Sequence, residues 1–480
     1  MNLLLIAKII GAALSLEAVL LVLPLLFAVL YNESLMPFTI PIAICFVAGA
    51  LLMRLTDKEN KLQSKEGLVA TGLTWIALSL CGMLPYLIGG VVSSPVDAFF
   101  ETVSGFTTTG STILTDVEAV PKSILLWRSF THWIGGMGIL VFMSAIVKFK
   151  GGSQMNLMKA ESPGPVVSKL VPKAGDTARL LYFIYTLLTI VTLIVLLILK
   201  MPFFDAVCIT LGAAGTGGFG VLNDSCASYT IAQQIAITIA MFTFGINFNF
   251  FFFIMVRKAT QAFKMEEVRL YFAIAFIAVV MISANLMKQG GFEHPFLSVQ
   301  NAAFHVSSIM TTTGYATDDI NNWPRLSQCA IIILMLCGAC AGSTGGGYKV
   351  SRVLLMAKAF ARDISVQLCP DRVRKVHIDG KAIDESLIRS TGVYTFAYLG
   401  VMIISVILIM PEGKDAMSTV TAVIATFNNI GPGIGFNGSM GNFAPFSDYS
   451  KLILSADMLI GRLEILPILG LLSKDTWRRF

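Results

Sequence analysis

The sequence predicts an all-α integral membrane protein: four span–pore-helix–span repeats with a pseudo-fourfold pore, plus two N-terminal transmembrane helices. Three observations predict it. Apolar runs of membrane-crossing length recur from end to end, basic residues gather in alternate loops, and one short glycine motif returns four times.

The 480 residues are 55% hydrophobic and 13% charged, with a mean hydropathy of +0.76. Soluble domains carry about 25% charged residues, so that class is excluded. A helical span takes about 20 apolar residues. Few segments alternate strictly, which argues against a β-barrel. The opening MNLLLIAKIIGAALSLEAVLLVLPLLFAVLY is longer than the apolar core of a signal peptide and follows no basic leader. It reads as a retained helix.

The formal charge is +6, and its placement says more than its size. Arg54, Lys58, Lys61 and Lys65 share one loop; Lys148, Lys150, Lys159, Lys169 and Lys173 share another. Arg257, Lys258 and Lys264 follow, then Lys349 to Arg389, then Lys474, Arg478 and Arg479. Segments 31–37 and 221–231 carry no Lys or Arg. This is the positive-inside pattern. The charges are spread over loops rather than gathered in one patch, so a nucleic-acid partner is not expected.

Candidate spans are 3–30, 38–54, 68–92, 124–147, 180–200, 232–256, 270–287, 328–355, 391–410 and 452–472. The first two stand apart in segment 1–66. The rest pair into repeats over 67–150, 151–265, 266–390 and 391–480. Within each pair lies a shorter apolar stretch ending in SGFTTTGST, AAGTGGFGV, SIMTTTGYA or FNNIGPGIG. Thirteen residues before the glycines Gly110, Gly218, Gly314 and Gly431 stand Asp97, Asp205, Asn301 and Ser418. Each is a good helix N-cap, so each stretch reads as a half-helix. Asp415 resembles Asp97 and Asp205 in context but comes three residues earlier in that register.

Non-helical backbone at membrane depth is tolerated only when buried in protein or lining a water-filled cavity. Four such loops in one chain can close around an axis. Backbone carbonyls there would replace the water shell of a cation without binding it too tightly. Glycine permits the backbone shape. Thr107, Thr108 and Thr109 can add hydroxyls and brace the strand. Each half-helix would aim its partly negative C-terminal end at the centre. One TTTG alone would be an ordinary turn; two, at 107–110 and 311–314, each after a half-helix, are specific. The loops at 216–218 and 428–431 are weak signals by themselves.

These motifs, with THWIGGMGI (131–139), CAGSTGGGYKVSR (340–352), FNNIGPG and GRLEIL (461–466), resemble the Trk/Ktr/HKT superfamily of potassium transporters, most closely its bacterial TrkH/TrkG type. The resemblance covers nearly the whole chain, and the two extra N-terminal helices match that type. It implies gated potassium uptake at the bacterial inner membrane. It implies that carbonyls just before each filter glycine bind the ion: Thr108 and Thr109, Thr216 and Gly217, Thr312 and Thr313, Asn429 and Ile430. Gly110, Gly218, Gly314 and Gly431 would be the selectivity glycines, and glycine at 110 favours potassium over sodium. It further implies a homodimer, one pore per protomer, regulated by a cytosolic nucleotide-binding ring.

CGACAGSTGGGYKVSR interrupts the return span of the third repeat. Glycine costs about 1 kcal/mol per residue in a helix relative to alanine, so the helix should break here. The Walker spacing of a phosphate loop is not met. The stretch reads as a mobile obstruction below the filter, with Gly338, Gly342, Gly345, Gly346 and Gly347 as its core and Lys349 anchoring its inner end. Cys337 and Cys340 form a lone C-x-x-C in an apolar run, which reads as small-residue packing. Arg462 lies in the last apolar run. A charge at that depth faces a cavity or a partner. It is either paired with a carboxylate elsewhere or a positive guard below the filter; the resemblance implies the guard. Segment 349–389 is either simply solvated or a docking surface for a soluble regulator.

An intramembrane enzyme is the competing class. It needs convergent acids, bases or metal ligands. His132, His294, His305 and His377 fall in separate segments, with no H-x-x-x-H spacing and no G-x-S-x-G elbow. No catalytic group and no cofactor is expected beyond the transported ion. A sodium or ammonium transporter on the same scaffold, and channel-like flow against ion-coupled symport, stay open at this level.

Overall fold

The computed structural model describes residues 2–55, 64–138, 174–289, 295–369 and 374–477. The basic residues Lys58, Lys61, Lys148, Lys150, Lys159, Lys169, Lys173, Arg478 and Arg479 lie outside these, as do His294, the end of the 124–147 span and the 150/151 boundary. Among the described residues, six helices are long and apolar enough to cross a membrane: Leu3–Leu30, Met36–Met53, Lys65–Ile88, Thr177–Ile198, Glu266–Gln289 and Glu385–Glu412. The protein is a helical, multi-pass membrane protein.

The first two spans cross at small residues. A β-carbon on Gly11 would sit 2.7 Å from Leu52 Cβ, and one on Gly49 would sit 2.3 Å from Ser15 Oγ. Small residues let membrane helices approach this closely. Asn2 caps the first helix, its side chain accepting from Leu5 N at 3.1 Å.

Each repeat then consists of a span, a half-helix and a return helix. The half-helices are Pro95–Phe106, Phe203–Gly215, Pro295–Met310 and Ala416–Phe427. At about 1.5 Å rise per residue none can cross the bilayer.

The N-caps differ from expectation. They are Ser94, Pro202 and Asp415 in the first, second and fourth half-helices. Each lies sixteen residues before its glycine rather than thirteen. Asp97 and Asp205 are in the first turn, and Ser418 is the backbone donor that Asp415 caps at 2.9 Å. The third half-helix starts earlier, so Asn301 is inside it. Proline at the first turn explains the first shift: Pro95 has no N–H to satisfy, and Ser94 can cap before it. The earlier position of Asp415 is therefore the correct register.

The return spans also differ. All four are shorter than the apolar runs that contain them. The first return helix, Lys122–Gly136, ends at Gly136. The second is Ile231–Phe244 followed by Phe248–Met255, bent by 92°. The third stops at Cys337 and helix resumes at Val350. The fourth breaks between Arg462 and Leu466, with left-handed Glu464 and Ile465 between. Sequence reading anticipated only the third break. Both sides of the others stay apolar, as in FTFGINFNFFFFIM, so hydropathy carries no mark of them. Tertiary packing does. A β-carbon on Gly135 would lie 1.8 Å from Phe106 O, and one on Gly461 would lie 1.9 Å from Phe427 O. The first and fourth return helices press glycine against the last carbonyls of their half-helices.

Past the third break, Val350–Leu368 leads to a two-stranded turn pairing His377–Ile378 with Lys381–Ala382. Leu355, Ala359, Val376 and Ile388 form a small separate core there.

Candidate ion pathway and its gate

The four half-helices end in one backbone pattern. Thr108, Thr216, Thr312 and Asn429 are left-handed, with φ of 56°, 55°, 61° and 54°. Two residues on, Gly110, Gly218, Gly314 and Gly431 have φ of 83°, 77°, 90° and 100°. Left-handed backbone is costly for a β-branched residue, and strain of about 1–3 kcal/mol per site concentrates where function requires it.

The hydrogen bonds repeat as well. Thr109, Gly217, Thr313 and Ile430 donate their N–H to Ser104, Gly212, Ser308 and Ala425 carbonyls at 2.8–2.9 Å. Thr108, Thr216, Thr312 and Asn429 donate to Gly105, Ala213, Ile309 and Thr426 carbonyls at 3.1–3.2 Å. This is a left-handed helix cap with its six-to-one bond. It commits the amides of the two residues before each glycine to the half-helix, and leaves their carbonyls out of that ladder.

The loops close into a ring. A β-carbon on Gly110 would meet Gly217 O at 2.0 Å, and one on Gly218 would meet Thr313 O at 1.9 Å. One on Gly314 would meet Ile430 O at 2.1 Å, and one on Gly431 would return to Thr109 O at 2.8 Å. Each glycine thus touches the carbonyl just before the next glycine, in sequence order and back to the start. No β-carbon fits. The twelve residues that the sequence named as filter candidates lie in these four loops.

Side chains brace this backbone differently in each loop. Thr107 Oγ1 donates to Val103 O at 2.6 Å and pairs with Thr109 Oγ1 at 2.8 Å. Thr311 repeats this with Ser307 O and Thr313 Oγ1, both at 2.7 Å. In the fourth loop Asn429 Nδ2 donates to Thr109 Oγ1 and Met458 O, both at 2.9 Å. Asn428 is held by Tyr398, whose hydroxyl donates to Asn428 Oδ1 at 2.6 Å.

The glycine-rich loop lies directly against the undersides of the third and fourth filter loops. Gly346 N donates to Thr312 Oγ1 at 2.7 Å. β-carbons on Gly345 and Gly346 would sit 2.7 Å from Thr311 O and 2.6 Å from Asn428 O. Gly338, Gly342 and Gly347 are left-handed. Buried Lys349 donates back to Gly345 O at 2.5 Å, so it anchors the loop from within. Ala341 N donates to Glu267 Oε1 at 2.6 Å.

Arg462 is buried at the same level. Its guanidinium donates to Gly135 O and Gly136 O, both at 2.6 Å, to Thr344 O at 2.8 Å and to Thr108 Oγ1 at 3.2 Å. It therefore joins the end of the first return helix, the glycine-rich loop and the first filter strand. Glu464, two residues on, pairs instead with Arg352 at 2.6 Å.

Comparison with known proteins adds the lineage. The family model described as TrkH, cation transport protein, matches residues 34–476. The chain belongs to the TrkH family. It is 33% identical over 480 residues to the Trk system potassium uptake protein TrkH of Salmonella typhimurium, covering 98% of this chain and 99% of that one. It is 29% identical over 468 residues to the Trk system potassium uptake protein TrkG of Escherichia coli, covering 95% and 94%. The crystal structure of the potassium transporter TrkH from Vibrio parahaemolyticus superposes with a TM-score of 0.90 at 30% identity, covering both chains fully.

Sequence reading missed three supports of this ring of loops. Buried Glu101 and Arg128 pair at 2.6 Å. Glu101 also accepts from Thr112 Oγ1 and Ile113 N at 2.9 Å, while Arg128 donates to Gly220 O at 3.0 Å and covers the Phe219 ring. A buried pair is sustained only when such bonds satisfy both ends. His132 Nδ1 lies 2.8 Å from Gly105 O, and its Nε2 accepts from Phe219 N at 3.2 Å. Its ring thus ties the first half-helix to the second filter loop. The signal was present, since Arg128 and His132 lie one turn apart within an otherwise largely apolar or small-residue return helix. Their partners were legible only in three dimensions.

Proposed function

We propose that this chain takes up potassium across the bacterial cytoplasmic membrane through a filter of backbone oxygens. The curated relatives it matches carry that activity in their names. The observation that carries the reading is the closed ring of glycine-to-carbonyl contacts. The carbonyls of Thr108, Thr109, Thr216, Gly217, Thr312, Thr313, Asn429 and Ile430 bind the ion in file. With the amides of these residues bonded back to the half-helices, carbonyl oxygen is what they have to offer it. Neutral oxygens hold a cation weakly enough to release it. Four helix C-terminal ends add their partial negative charge.

Below the filter, Arg462 and the loop from Gly338 to Lys349 form the gate. The guanidinium is a fixed positive charge beside the path, and the loop fills the space under the third and fourth strands. Potassium passes inward when the loop withdraws. Membrane voltage supplies about 2.3 kcal/mol per charge per 100 mV for this inward flow. The active unit is a homodimer, and a cytosolic nucleotide-binding ring docks on segment 349–389 to move the loop.

The test is growth of a potassium-uptake-deficient bacterium on low potassium, with rubidium uptake competed by potassium and by sodium. Rescue with potassium outcompeting sodium is expected. Failure to rescue by a well-expressed protein, or equal competition by sodium, would remove the proposal.

A further inference from the structure

Glu17, Cys45 and Cys81 come from three different helices, the first, second and third spans, and meet away from the ion pathway. One carboxylate oxygen and two sulfurs lie within 4.8 Å of one another. Cys45 Sγ is 3.9 Å from Glu17 Oε2. Glu17 is 1% exposed and its second oxygen, Oε1, has no hydrogen-bond partner among the described residues. Both cysteines are free thiols. A buried carboxyl in a membrane helix without full hydrogen bonding is costly.

We propose that Glu17, Cys45 and Cys81 bind a thiophilic divalent cation of the zinc class. Tetrahedral zinc holds sulfur at about 2.3 Å and carboxylate oxygen at about 2.0–2.2 Å, which sets ligand atoms about 3.5–3.8 Å apart. The observed 3.9 Å between Cys45 and Glu17 is already near that spacing, and the third ligand needs to move inward by about 1 Å at most on the same geometry. Two sulfurs select a borderline-soft metal over magnesium, calcium or potassium. Binding releases the ligand protons, and the dication offsets two of the three negative charges that the carboxylate and the two thiolates bring together. Cys81 is the least buried of the three ligands.

The location gives the site a consequence. A β-carbon on Gly82 would stand 3.0 Å from Glu17 Oε1 and 2.8 Å from the Phe106 ring. Phe106 ends the first half-helix. Bound metal therefore staples the N-terminal hairpin to the span that backs the first filter loop.

The test uses full-length protein in nanodiscs, fully reduced and stripped with chelator. Alkylation of Cys81 by N-ethylmaleimide is followed by peptide mass spectrometry, which reads that thiol with the other cysteines in place. Zinc is expected to slow Cys81 labelling by at least about tenfold, because coordination removes the free thiolate. Cadmium should add a thiolate charge-transfer absorbance of one site per chain. Both effects should disappear in Cys45→Ser and weaken in Glu17→Gln. Unchanged Cys81 labelling in the wild-type protein with zinc overturns the proposal without any variant. So does equal protection in both variants, or a Cys45–Cys81 disulfide in protein isolated without reductant.

Discussion

The first and third filter loops are laced by threonines, and the second and fourth are not. All four have the same backbone. In the laced loops, Thr107 and Thr311 each bond one helical turn back and sideways to Thr109 and Thr313. The second loop has only Thr216, whose hydroxyl turns to the adjacent Gly215 O, and its Phe219 N–H donates outward to His132 Nε2. The fourth uses two asparagines. The shared elements are the left-handed residue, the glycine two places on, and the amide bonds to the half-helix end. The ring is therefore specified by backbone shape, and the threonines are one of several ways to hold it.

The largest effect should follow from breaking the shared element. Gly218→Ala places a β-carbon where Thr313 O stands 1.9 Å away, on left-handed backbone. Gly431→Ala meets Thr109 O at 2.8 Å, a smaller overlap. Backbone cannot yield as a flexible side chain can. Gly218→Ala should lower rubidium uptake by about 100-fold or more, corresponding to at least about 3 kcal/mol. Gly431→Ala should lose about tenfold less. Uptake per folded protein, with folding checked by size-exclusion chromatography, decides this. Equal losses at the two sites would show that the overlap does not set the cost.

Much of this was legible from residues alone, for a physical reason. Long apolar runs and alternating basic loops report the bilayer directly, so the six unbroken spans emerged nearly intact. The glycine motifs report left-handed backbone, which few other residues adopt cheaply, so the ring was visible before any coordinate. What failed were features set by distant contacts. The return helices break at Gly136, Gly245 and Arg462 because half-helix ends and filter strands pack against them, and local hydropathy is blind to that. The N-cap register slipped by three residues because Asp97 and Asp205 are equally at home inside a first turn. The Glu101–Arg128 pair links residues 27 apart around a membrane loop, with no local pattern to announce it.

The second effect runs in the opposite direction. Arg462 contacts the first strand through Thr108, the end of the first return helix through Gly135 and Gly136, and the glycine-rich loop through Thr344. Arg462→Ala removes the charge beside the path and unties Thr344 from the first return helix. Rubidium flux through purified protein in liposomes should rise, by about tenfold if the charge accounts for about 1.4 kcal/mol of the barrier. Arg462→Lys, which keeps the charge but cannot reach four acceptors at once, should give a smaller rise. Flux unchanged in a stably folded Arg462→Ala protein would strike the guanidinium from the gate.

The third tests the asparagine brace. Asn429→Leu removes the donor that ties the fourth loop to Thr109 and to Met458 O. A buried partner left unpaired costs about 1–3 kcal/mol. The half-saturating potassium concentration for uptake should rise by roughly five- to tenfold, within that range.

The smallest effect separates lacing from shape. Thr107→Val and Thr311→Val keep the side-chain volume nearly constant and delete one hydroxyl each. Both hydroxyls make the same pair of bonds, one to the helix and one to the threonine two residues on. Neither lies on the carbonyls assigned to the ion. Each substitution should therefore raise the half-saturating potassium concentration by only about two- to fivefold, since a net hydrogen bond contributes about 0.5–1.5 kcal/mol. The two values should agree with each other, because the first and third loops are braced alike. Selectivity against sodium should stay within about threefold of the wild type, because the backbone cap and the glycine ring are untouched. Selectivity is the decisive readout. If Thr107→Val admits sodium as readily as potassium, the threonine lacing sets the size of the ring, and the equivalence of the four loops is one of appearance rather than of control.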